Sequence, residues 1–369
     1  MAQIGIVVPV YKEEISEYEK YSLGRLKEVL GQYPIIFVAP NKLPEEMYRK
    51  IVPQSRWQTF ANGCFQGFSA YNKLLLSDDF YVAFRDYDKI LICQTDVWVL
   101  EDRLEEFLSL SYDYIGAPIA VLKNDLYQLY GGNGGFSLRC VRSFMRILEK
   151  HRDEAERWAG NEDEFFSFCG EKYPKEFRVA PPQIAMRFAF DRFARYMYRK
   201  NQEQLPMAWH GWLTYDPEFS CRFITPANMQ AIGSGMNFRK RTEAMIEYNS
   251  FLEKFSYIYI YGAGAWGKAV FHHLQTKNVR VNGFVVSNDQ PLMDSSYHGV
   301  SIQHLSAISG SDKQCGVIFS IGKRYLSGEM LKSIDAHISN AGFENLFCID
   351  AVIYNAVVEE LLMFHERGR

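Results

Sequence analysis

The sequence predicts an α/β fold in which a mainly parallel sheet is followed by a second, smaller α/β domain. In the first third of the chain, short apolar runs alternate with helix-length amphipathic stretches, and a second strand–glycine–helix pattern appears far downstream. Strands that are separated by helical crossovers pair in parallel. We expect domains at residues 1–245 and 250–369.

The first domain opens with the strand "IGIVVPVY", which the helical stretch "SEYEKYSLGRLKEVLGQ" follows. "PIIFVAP" and "DKILICQTDVWVL" are the next strands, with the helical "FSAYNKLLLSDDFYVAF" between them. From about residue 111 the pattern becomes irregular. Long irregular segments inside a compact domain are usually functional.

Composition excludes several classes of function. A formal net charge of −3 and a pI of about 6.3 lack the basic footprint of a nucleic-acid binder. The seven cysteines occur singly, without a C-x-x-C pair, which predicts a reduced, cytoplasmic protein. The N-terminus enters a strand at once and no apolar run reaches the length of a membrane span, so we expect peripheral membrane contact at most.

A single carboxylate, Asp96, lies at the end of the apolar strand "DKILICQTDVWVL". Ligands of open parallel sheets bind beyond the carboxyl ends of the strands, which makes Asp96 a candidate ligand-binding residue. The alternative is a cap for the following helix. Glu101 and Asp102 lie nearer to that helix and can serve as its cap.

Five motifs occur in a characteristic order: "DKILICQTDVWVL", "YDYIGAP", "GGNGGFSLR", "NEDEFF" and "HGW". In this order they resemble a bacterial family of predicted glycosyltransferases, catalogued as a domain of unknown function and similar to GT-A nucleotide-sugar transferases. The resemblance covers roughly residues 1 to 230. It implies a GT-A-like first domain and a nucleoside-diphosphate sugar as the donor.

The resemblance also implies a divalent metal, Mn²⁺ or Mg²⁺, at the donor diphosphate. Enzymes of the GT-A class usually carry Asp-x-Asp at the end of a central strand, whereas this chain has Gln94, Thr95 and Asp96. An amide is a poorer metal ligand than a carboxylate, which weakens the expectation. His210 is the candidate second ligand, and the alternative is a histidine packed between Trp209 and Trp212.

Donor contacts are expected where GT-A folds hold the nucleotide and the sugar. Tyr11 is a candidate for stacking on the base, and Lys73 for meeting a phosphate. The glycines after Tyr130 let backbone N–H groups approach a sugar, or simply form a tight turn. The expected donor-binding residues are Pro9, Val10, Tyr11, Lys12, Asn72, Lys73, Gln94, Thr95, Asp96, Asn133, Gly134 and Gly135.

The acidic motif "NEDEFF" supplies the candidate catalytic residues. An inverting transferase needs a carboxylate that takes the proton of the acceptor hydroxyl. By similarity to transferases with a Glu-Asp pair, Asp163 is the expected base and Glu162 positions the acceptor. The alternative is helix-start charge behind an Asn161 cap, and both interpretations can hold together.

The stretch "MRFAFDRFARYMYRKNQ" is interpreted as one amphipathic helix. Its apolar face would contain Met186, Phe190, Phe193 and Met197, with Arg192, Arg195 and Arg199 nearly opposite. Packing against the core with a solvated basic side is the simpler interpretation. The alternative is contact with an anionic lipid-linked acceptor or a membrane surface.

The second domain starts with "YIYIYGAGAWGKAV", where Gly262, Gly264 and Gly267 have the spacing G-x-G-x-x-G between a strand and a helix. This pattern is typical of Rossmann-like nucleotide sites. Ser287 and Asn288 occupy the expected acidic position, with Asp289 just beyond. A second nucleotide site is therefore a hypothesis for these glycines, as is a role in assembly only.

Taken together, the sequence predicts an inverting glycosyltransferase that moves a hexose from a UDP-type donor to a surface glycan or a lipid-linked acceptor. It would act in the cytoplasm, at most peripheral to the inner face of the membrane. The alternatives are an NAD(P)-dependent sugar-nucleotide oxidoreductase, a nucleotidyltransferase and a non-catalytic nucleotide-sugar-binding protein. No tyrosine of the second domain has a lysine four residues later, which disfavours the oxidoreductase.

Overall fold

The computed structural model describes residues 3–223, 238–308, 315–321 and 334–367, apart from 335, 337, 341 and 344. The chain divides into two compact units. The first comprises Met1–Leu213 and Phe219–Asn237, and the second Thr214–Glu218 and Phe238–Arg369.

The strands of the first unit are β1 (Ile4–Pro9), β2 (Ile35–Pro40), β3 (Arg56–Phe60), β4 (Lys89–Cys93), β5 (Val97–Val99), β6 (Tyr114–Lys123), β7 (Leu126–Cys140), β8 (Ala189–Phe190) and β9 (Ala208–His210). The helices in chain order are α1 (Glu17–Leu30), α2 (Glu46–Ile51), α3 (Phe68–Leu75), α4 (Asp78–Val82), α5 (Leu104–Leu108), α6 (Val141–Lys150), α7 (Arg152–Glu156), α8 (Glu162–Lys172), α9 (Pro182–Phe188), α10 (Ala194–Lys200) and α11 (Pro217–Ser220).

The main sheet of the first unit has the order β3-β2-β1-β4-β7-β6. Four of its strands, β3, β2, β1 and β4, are parallel to one another. Strand β7 is antiparallel to β4, and β6 is antiparallel to β7. The predicted α/β class with a mostly parallel sheet is confirmed. Because β1 and β4 are parallel neighbours, the segments that leave their carboxyl ends start side by side.

The central strands bury both of their faces. In β1, Ile6 and Val8 belong to one core cluster and Val7 to the other. The first cluster includes Leu23, Leu26 and Leu30 of α1, and the second includes Phe144 of α6 and Phe166 of α8. Runs of β-branched residues suit such a doubly covered sheet, which explains their continuous apolar sequences. The sheet is therefore a fixed frame for the loops at its carboxyl edge.

A small three-stranded sheet of order β5-β9-β8 lies in the same unit. Val97 of β5 is paired with His210 of β9, and Ala189 of β8 with Ala208 of β9. The residue before β5 is Asp96, and the residue after β8 is Asp191. This pairing therefore brings the two aspartates to the same strand end as His210.

The prediction of one amphipathic helix over "MRFAFDRFARYMYRKNQ" is wrong. The segment forms the end of α9, then β8, then a left-handed residue, Phe193, with φ of 58°, and then α10. Met186, Phe190, Phe193 and Met197 are all buried, as the apolar pattern indicated, but they come from different elements. Pairing with β9 satisfies the backbone of Phe190 and interrupts the helical pattern there.

The second unit contains the strands β10 (Tyr257–Tyr261), β11 (Val281–Val286), β12 (Ser296–Tyr297), β13 (Val300–His304), β14 (Cys315–Phe319) and β15 (Leu346–Cys348) and the helices α12 (Arg241–Lys254), α13 (Ala265–Thr276) and α14 (Ala351–Arg367). Its sheet has the order β12-β13-β11-β10-β14-β15. All neighbours pair in parallel except β12 and β13. Among the described residues of the whole chain, no helix combines the length and the apolar character needed to cross a membrane.

Candidate active site

Strand β4 ends at Cys93, and Gln94, Thr95 and Asp96 form the turn into β5. The Gln94 N–H donates to the Gly135 carbonyl at 2.8 Å, and the Asp96 carbonyl accepts from the Gly211 N–H at 3.0 Å. Asp102, not Asp96, accepts a hydrogen bond from Leu104 N–H at the start of α5. The side chain of Asp96 is therefore available for another role.

His210 lies between two carboxylates. Its Nε2 is 3.3 Å from Asp96 Oδ1, and its Nδ1 is 3.1 Å from Asp191 Oδ1, without the alignment of a hydrogen bond. Nε2 is also 3.1 Å from Gln94 Oε1. Asp191 is only 2% exposed, whereas the Asp96 side chain is 32% exposed. His210 thus has one ring nitrogen toward the core and the other toward the turn after β4.

In this cluster the two carboxylates stabilise the protonated form of His210, and the charge of His210 stabilises ionised Asp96. Burial works to lower the pKa of His210, but the Asp96 and Asp191 carboxylates hold it well above its usual range. Burial works to raise the pKa of Asp96, but the charge of His210 holds it below its usual range. In the protein without a metal ion, we therefore expect an imidazolium between two carboxylates.

Asp96, Gln94 and His210 together fit a divalent cation. A carboxylate, an amide oxygen and an imidazole nitrogen are ligands that Mn²⁺ accepts, and Mg²⁺ favours the oxygens. The Asp96, Gln94 and His210 atoms meet within the distances given above, and His210 would first have to release its proton. A carboxylate behind the other ring nitrogen of a metal-binding histidine orients the ring, and Asp191 occupies that position.

Glu19 connects the ends of β1 and β4. Its carboxylate accepts hydrogen bonds from Lys12 Nζ at 2.8 Å and Thr95 Oγ1 at 2.8 Å, and from Ser16. Glu19 is 3% exposed, and it forms a capping box with Ser16 at the start of α1. The sequence analysis did not select Glu19, although the S-x-x-E pattern of "SEYE" is a signal for this cap. Lys12 and Thr95, two predicted donor-binding residues, are held by this one side chain.

The segment after β1 differs in exposure from residue to residue. Pro9 ends the strand, Val10 is buried, and the Tyr11 ring is 59% exposed. The backbone of Lys12 is held by the Tyr48 hydroxyl, which donates to its carbonyl at 2.7 Å. An exposed ring on a fixed backbone suits the predicted stacking on a base, which stays a prediction.

Asn72 and Lys73 both lie in α3 but differ in their contacts. Asn72 Oδ1 accepts from the Glu162 N–H at 2.8 Å, and its amide group donates to the Phe68 carbonyl at 2.8 Å. Asn72 therefore holds the first turn of α8, a contact that the sequence analysis did not foresee. Lys73 is exposed. Nucleotide contact remains a prediction for both residues.

The acidic motif opens α8, where Asn161 and Glu164 form a capping box. Asp163 Oδ2 accepts from the Gly134 N–H at 3.0 Å, and Oδ1 accepts from the Glu164 N–H at 2.8 Å. Burial raises the pKa of Asp163, although the Gly134 N–H and the Arg139 charge act against it. A carboxylate with a raised pKa and a fixed orientation suits a general base.

Glu162 is buried, whereas its neighbour Asp163 is half-buried. Its Oε1 is 2.9 Å from Arg139 Nη2, and its Oε2 has no hydrogen-bond partner among the described residues. Burial raises the pKa of Glu162 to about 7 in spite of that guanidinium. The sequence analysis did not select Arg139, because a single arginine at the end of a strand carries no specific signal.

The glycines of "YGGNGGFSLR" lie inside β7, so the tight-turn alternative is wrong. Of the four, only Gly131 has a positive φ, at 52°. Gly134 and Gly135 are needed for space: a Cβ on Gly135 would collide with the His210 ring, and one on Gly134 with Glu162. Asn133 Oδ1 accepts from the Gly135 N–H at 2.8 Å. The strand thus passes directly between the His210 cluster and the acidic helix.

One protein-family model matches the part of the chain that contains this site. Residues 54–210 match the model of a family described as a protein of unknown function, DUF5672. That match spans Asp96, the glycine segment, the acidic motif and His210. No curated protein matches the chain.

Several solved structures are similar to this one at low identity. The apo form of the glycosyltransferase GlyE in Streptococcus pneumoniae TIGR4 is 12% identical, with 99% of each chain covered and a TM-score of 0.38. The galactosyltransferase LgtC, in complex with donor and acceptor sugar analogues, is 14% identical over 65% of this chain and 99% of its own, with a TM-score of 0.40. Core-mannan synthase A from Aspergillus fumigatus, in a Mn/GDP form, is 9% identical over 46% of this chain and 70% of its own, with a TM-score of 0.36. These likenesses are too distant to assign an activity to this chain.

The predicted glycine site of the second unit lies at the end of β10. Gly262 has a φ of 105°, and a Cβ on Gly267 would collide with the Gly262 carbonyl, so the loop and α13 are closely packed. Gly264 precedes α13 and has open space around it. Ser287, at the expected acidic position, is 2.6 Å from the Tyr261 hydroxyl through its own Oγ. Nucleotide binding here stays a prediction.

Proposed function

We propose that this chain is a glycosyltransferase that moves a hexose from a nucleoside-diphosphate sugar, UDP-linked in the first instance, to a hydroxyl of a surface glycan or a lipid-linked acceptor. One observation carries the proposal. The segment Asn133–Gly135 contacts a cation-suited cluster on one side, through Gly135, and a candidate general base on the other, through Gly134. Sugar transfer from a diphosphate needs both, at a short separation.

On the donor side, the chain offers groups for each part of the nucleotide. The exposed Tyr11 ring would stack on the base, and the Gln94 amide is suited to a ribose hydroxyl or to the cation. Asp96 and His210 would hold Mn²⁺ or Mg²⁺, which offsets the negative charge that develops on a departing diphosphate. Lys12, held by Glu19, and the exposed Lys73 add positive charge near the phosphates.

On the acceptor side, Asp163 would take the proton of the acceptor hydroxyl. The acceptor oxygen then forms a bond to the anomeric carbon while the bond from that carbon to the diphosphate oxygen breaks, with inversion of configuration. Glu162 Oε2 is buried without a hydrogen-bond partner among the described residues, and it would accept a hydrogen bond from the acceptor. Both carboxylates sit on one helix turn whose backbone Asn72 holds.

The second candidate function is nucleotide-sugar binding without turnover, with or without NAD(P)-dependent chemistry in the second unit. The close packing of the Gly262 loop on α13 favours a nucleotide there. This candidate and the transferase make different predictions, because Asp163 has no part in binding alone.

The test is a screen of nucleotide-sugars with Mn²⁺ or with a chelator, in which release of the nucleoside diphosphate is measured. We expect the wild type to turn over one donor, Asp96→Asn to lose donor binding, and Asp163→Asn to retain binding but lose at least a hundredfold in kcat. Donor binding by the wild type without release of nucleoside diphosphate, with a matching acceptor library, would contradict the proposal. Full activity of Asp163→Asn would remove the base assignment.

A further inference from the structure

Arg139 is the most completely buried charged side chain near the acidic helix, with 0% exposure. It lies near the end of β7, after the glycine segment. Its guanidinium has three short hydrogen bonds: Nε to Ser137 Oγ at 2.9 Å, Nη1 to the Tyr81 hydroxyl at 2.9 Å and Nη2 to Glu162 Oε1 at 2.9 Å. One side chain thus connects β7, α4 and the start of α8.

Aromatic rings enclose the same guanidinium. Its central carbon is 5.6 Å from the ring centre of Tyr114, 5.4 Å from that of Phe144 and 5.9 Å from that of Phe166. A cation at these distances is attracted to the ring faces. The rings also keep water away, so the partners of Arg139 must come from the protein. Each of its hydrogen bonds is therefore held in one geometry.

The two backbone groups of Gly134 link Arg139 to Asp163. The Gly134 carbonyl accepts from Ser137 Oγ at 2.9 Å and, at 3.4 Å, from Arg139 Nη2. The N–H of the same residue donates to Asp163 Oδ2 at 3.0 Å. Ser137 itself accepts from Arg139 Nε, so both contacts on the carbonyl depend on the guanidinium. Fixing the carbonyl fixes the backbone that holds Asp163.

We propose that Arg139 is a positioning residue for the general base: it holds the Gly134 backbone and the Glu162 side chain, and through them the carboxylate of Asp163. The proposal rests on the function given above, and extends it to a residue that touches no substrate. A lysine cannot replace Arg139 fully, because an ammonium cannot reproduce the planar set of donors that reaches Ser137, Tyr81 and Glu162 together.

The test compares Glu162→Gln with the double variant Arg139→Met/Glu162→Gln. The two differ only at Arg139. The double variant removes both members of the buried ion pair, and in Glu162→Gln the amide oxygen can still accept from Arg139, which also keeps Ser137 and Tyr81, so we expect both to fold. Two readouts need no substrate: exchange of the Gly134 amide proton and the NMR titration of ¹³C-labelled Asp163, which is assigned with Asp163→Asn. We expect at least tenfold faster exchange in the double variant, and a titration of Asp163 at higher pH, because the Gly134 N–H is held less firmly and the nearby positive charge is lost.

In turnover, we expect the double variant to lose at least a further tenfold in kcat relative to Glu162→Gln, with an acid limb of the pH profile at higher pH and little change in donor KM. Arg139→Lys, which keeps the charge, should lie between the wild type and the double variant. Equal Gly134 exchange and equal Asp163 titration in the two compared variants would overturn the proposal. Altered exchange and titration without any wild-type turnover would support the positioning but refute the transferase.

Discussion

Asp191 is a buried carboxylate that lies beside the His210 ring. It is 2% exposed, follows β8 directly, and lies 3.1 Å from His210 Nδ1. The opposite ring nitrogen is the one that meets Asp96 and Gln94. A buried carboxylate at this place fixes which nitrogen faces outward, and it does so from a segment that the sequence analysis assigned to a continuous helix.

We therefore predict that Asp191→Asn weakens Mn²⁺ binding, measured by EPR without any substrate, by about ten- to a hundredfold, as is typical for residues behind a metal-binding histidine. Asp113→Asn is the matched control. Asp113 is also buried, but its oxygens accept from Ser143 and from the Arg178 N–H. Equal Mn²⁺ affinity in both variants would mean that Asp191 has only a structural role.

Sequence reasoning located some of these residues and missed others for identifiable reasons. Asp96 follows an apolar strand, so its place at a strand end could be predicted from the sequence. Asp191 was hidden because its neighbours Phe190 and Phe193 continue a helical apolar period. Arg139 is an ordinary charged residue in the sequence, and only the fold shows that aromatic rings surround it.

At the scale of elements, α1 is tied to two strand ends by one carboxylate. Glu19 caps its own helix and accepts from Lys12 after β1 and Thr95 after β4. The side chain of Glu19 therefore connects helix α1, the segment after β1 and the turn after β4. Loss of this contact should affect stability and the site together.

Glu19 also gives a prediction on pH. Burial works to raise its pKa, but its hydrogen bonds from Lys12, Ser16 and Thr95 hold the pKa below the ordinary value of 4.5. Ionised Glu19 therefore stabilises the fold above that value, and this stabilisation is lost as the pH falls through the lowered pKa. Glu19→Gln should cost about 1.5–3 kcal/mol at pH 7, the range for hydrogen bonds to charged groups.

Urea unfolding of the wild type and Glu19→Gln from pH 7 down to about pH 3, well below the ordinary pKa of glutamate, measures this effect. The difference in unfolding free energy between the wild type and Glu19→Gln should become smaller toward acid pH. Glu17→Gln is a control on the same helix turn, since Glu17 is largely exposed and forms an ion pair with Lys20 at the surface. A gap that stays constant with pH would show that the charge of Glu19 contributes nothing.

The elements also show where patterns in the sequence suffice. Strands β1, β2 and β4 are covered on both faces, so their continuous apolar runs identified them correctly. Strand β7 was not foreseen as a long strand, because four of its residues are glycines, which usually indicate a turn. The small size of Gly134 and Gly135 is required by Glu162 and His210, which come from distant parts of the chain. Such a requirement cannot be read from local sequence.

At the scale of the whole molecule, the parallel sheet explains why one edge collects the candidate residues. Parallel strands all end at the same side, and Lys12 and Asp96 follow two strands that are neighbours in the sheet. Acidic and basic residues nearly balance over the chain, with a net charge of −3. Under the proposed function, attraction of an anionic donor would therefore come from local groups and a bound cation.

This gives a prediction for the intact chain. A nucleoside diphosphate should raise the melting temperature when Mn²⁺ is present, and much less with a chelator. At a ligand concentration of about 100 times Kd, the gain is about 2.7 kcal/mol, which corresponds to several degrees for a chain of this size. Asp96→Asn serves as the control and should show the small shift under both conditions. Equal stabilisation with and without Mn²⁺ would contradict a cation at the Asp96 and His210 cluster.

The hydrogen bond that holds Asp163 comes from a main-chain amide. No replacement at position 134 other than proline can delete that donor, and any Cβ placed there meets Glu162. If Asp163 is the base proposed above, libraries aimed at new acceptors would gain little from varying this glycine. Ser137 and Tyr81, which reach the same carboxylate only through intervening groups, would then be the places to change its reactivity in small steps.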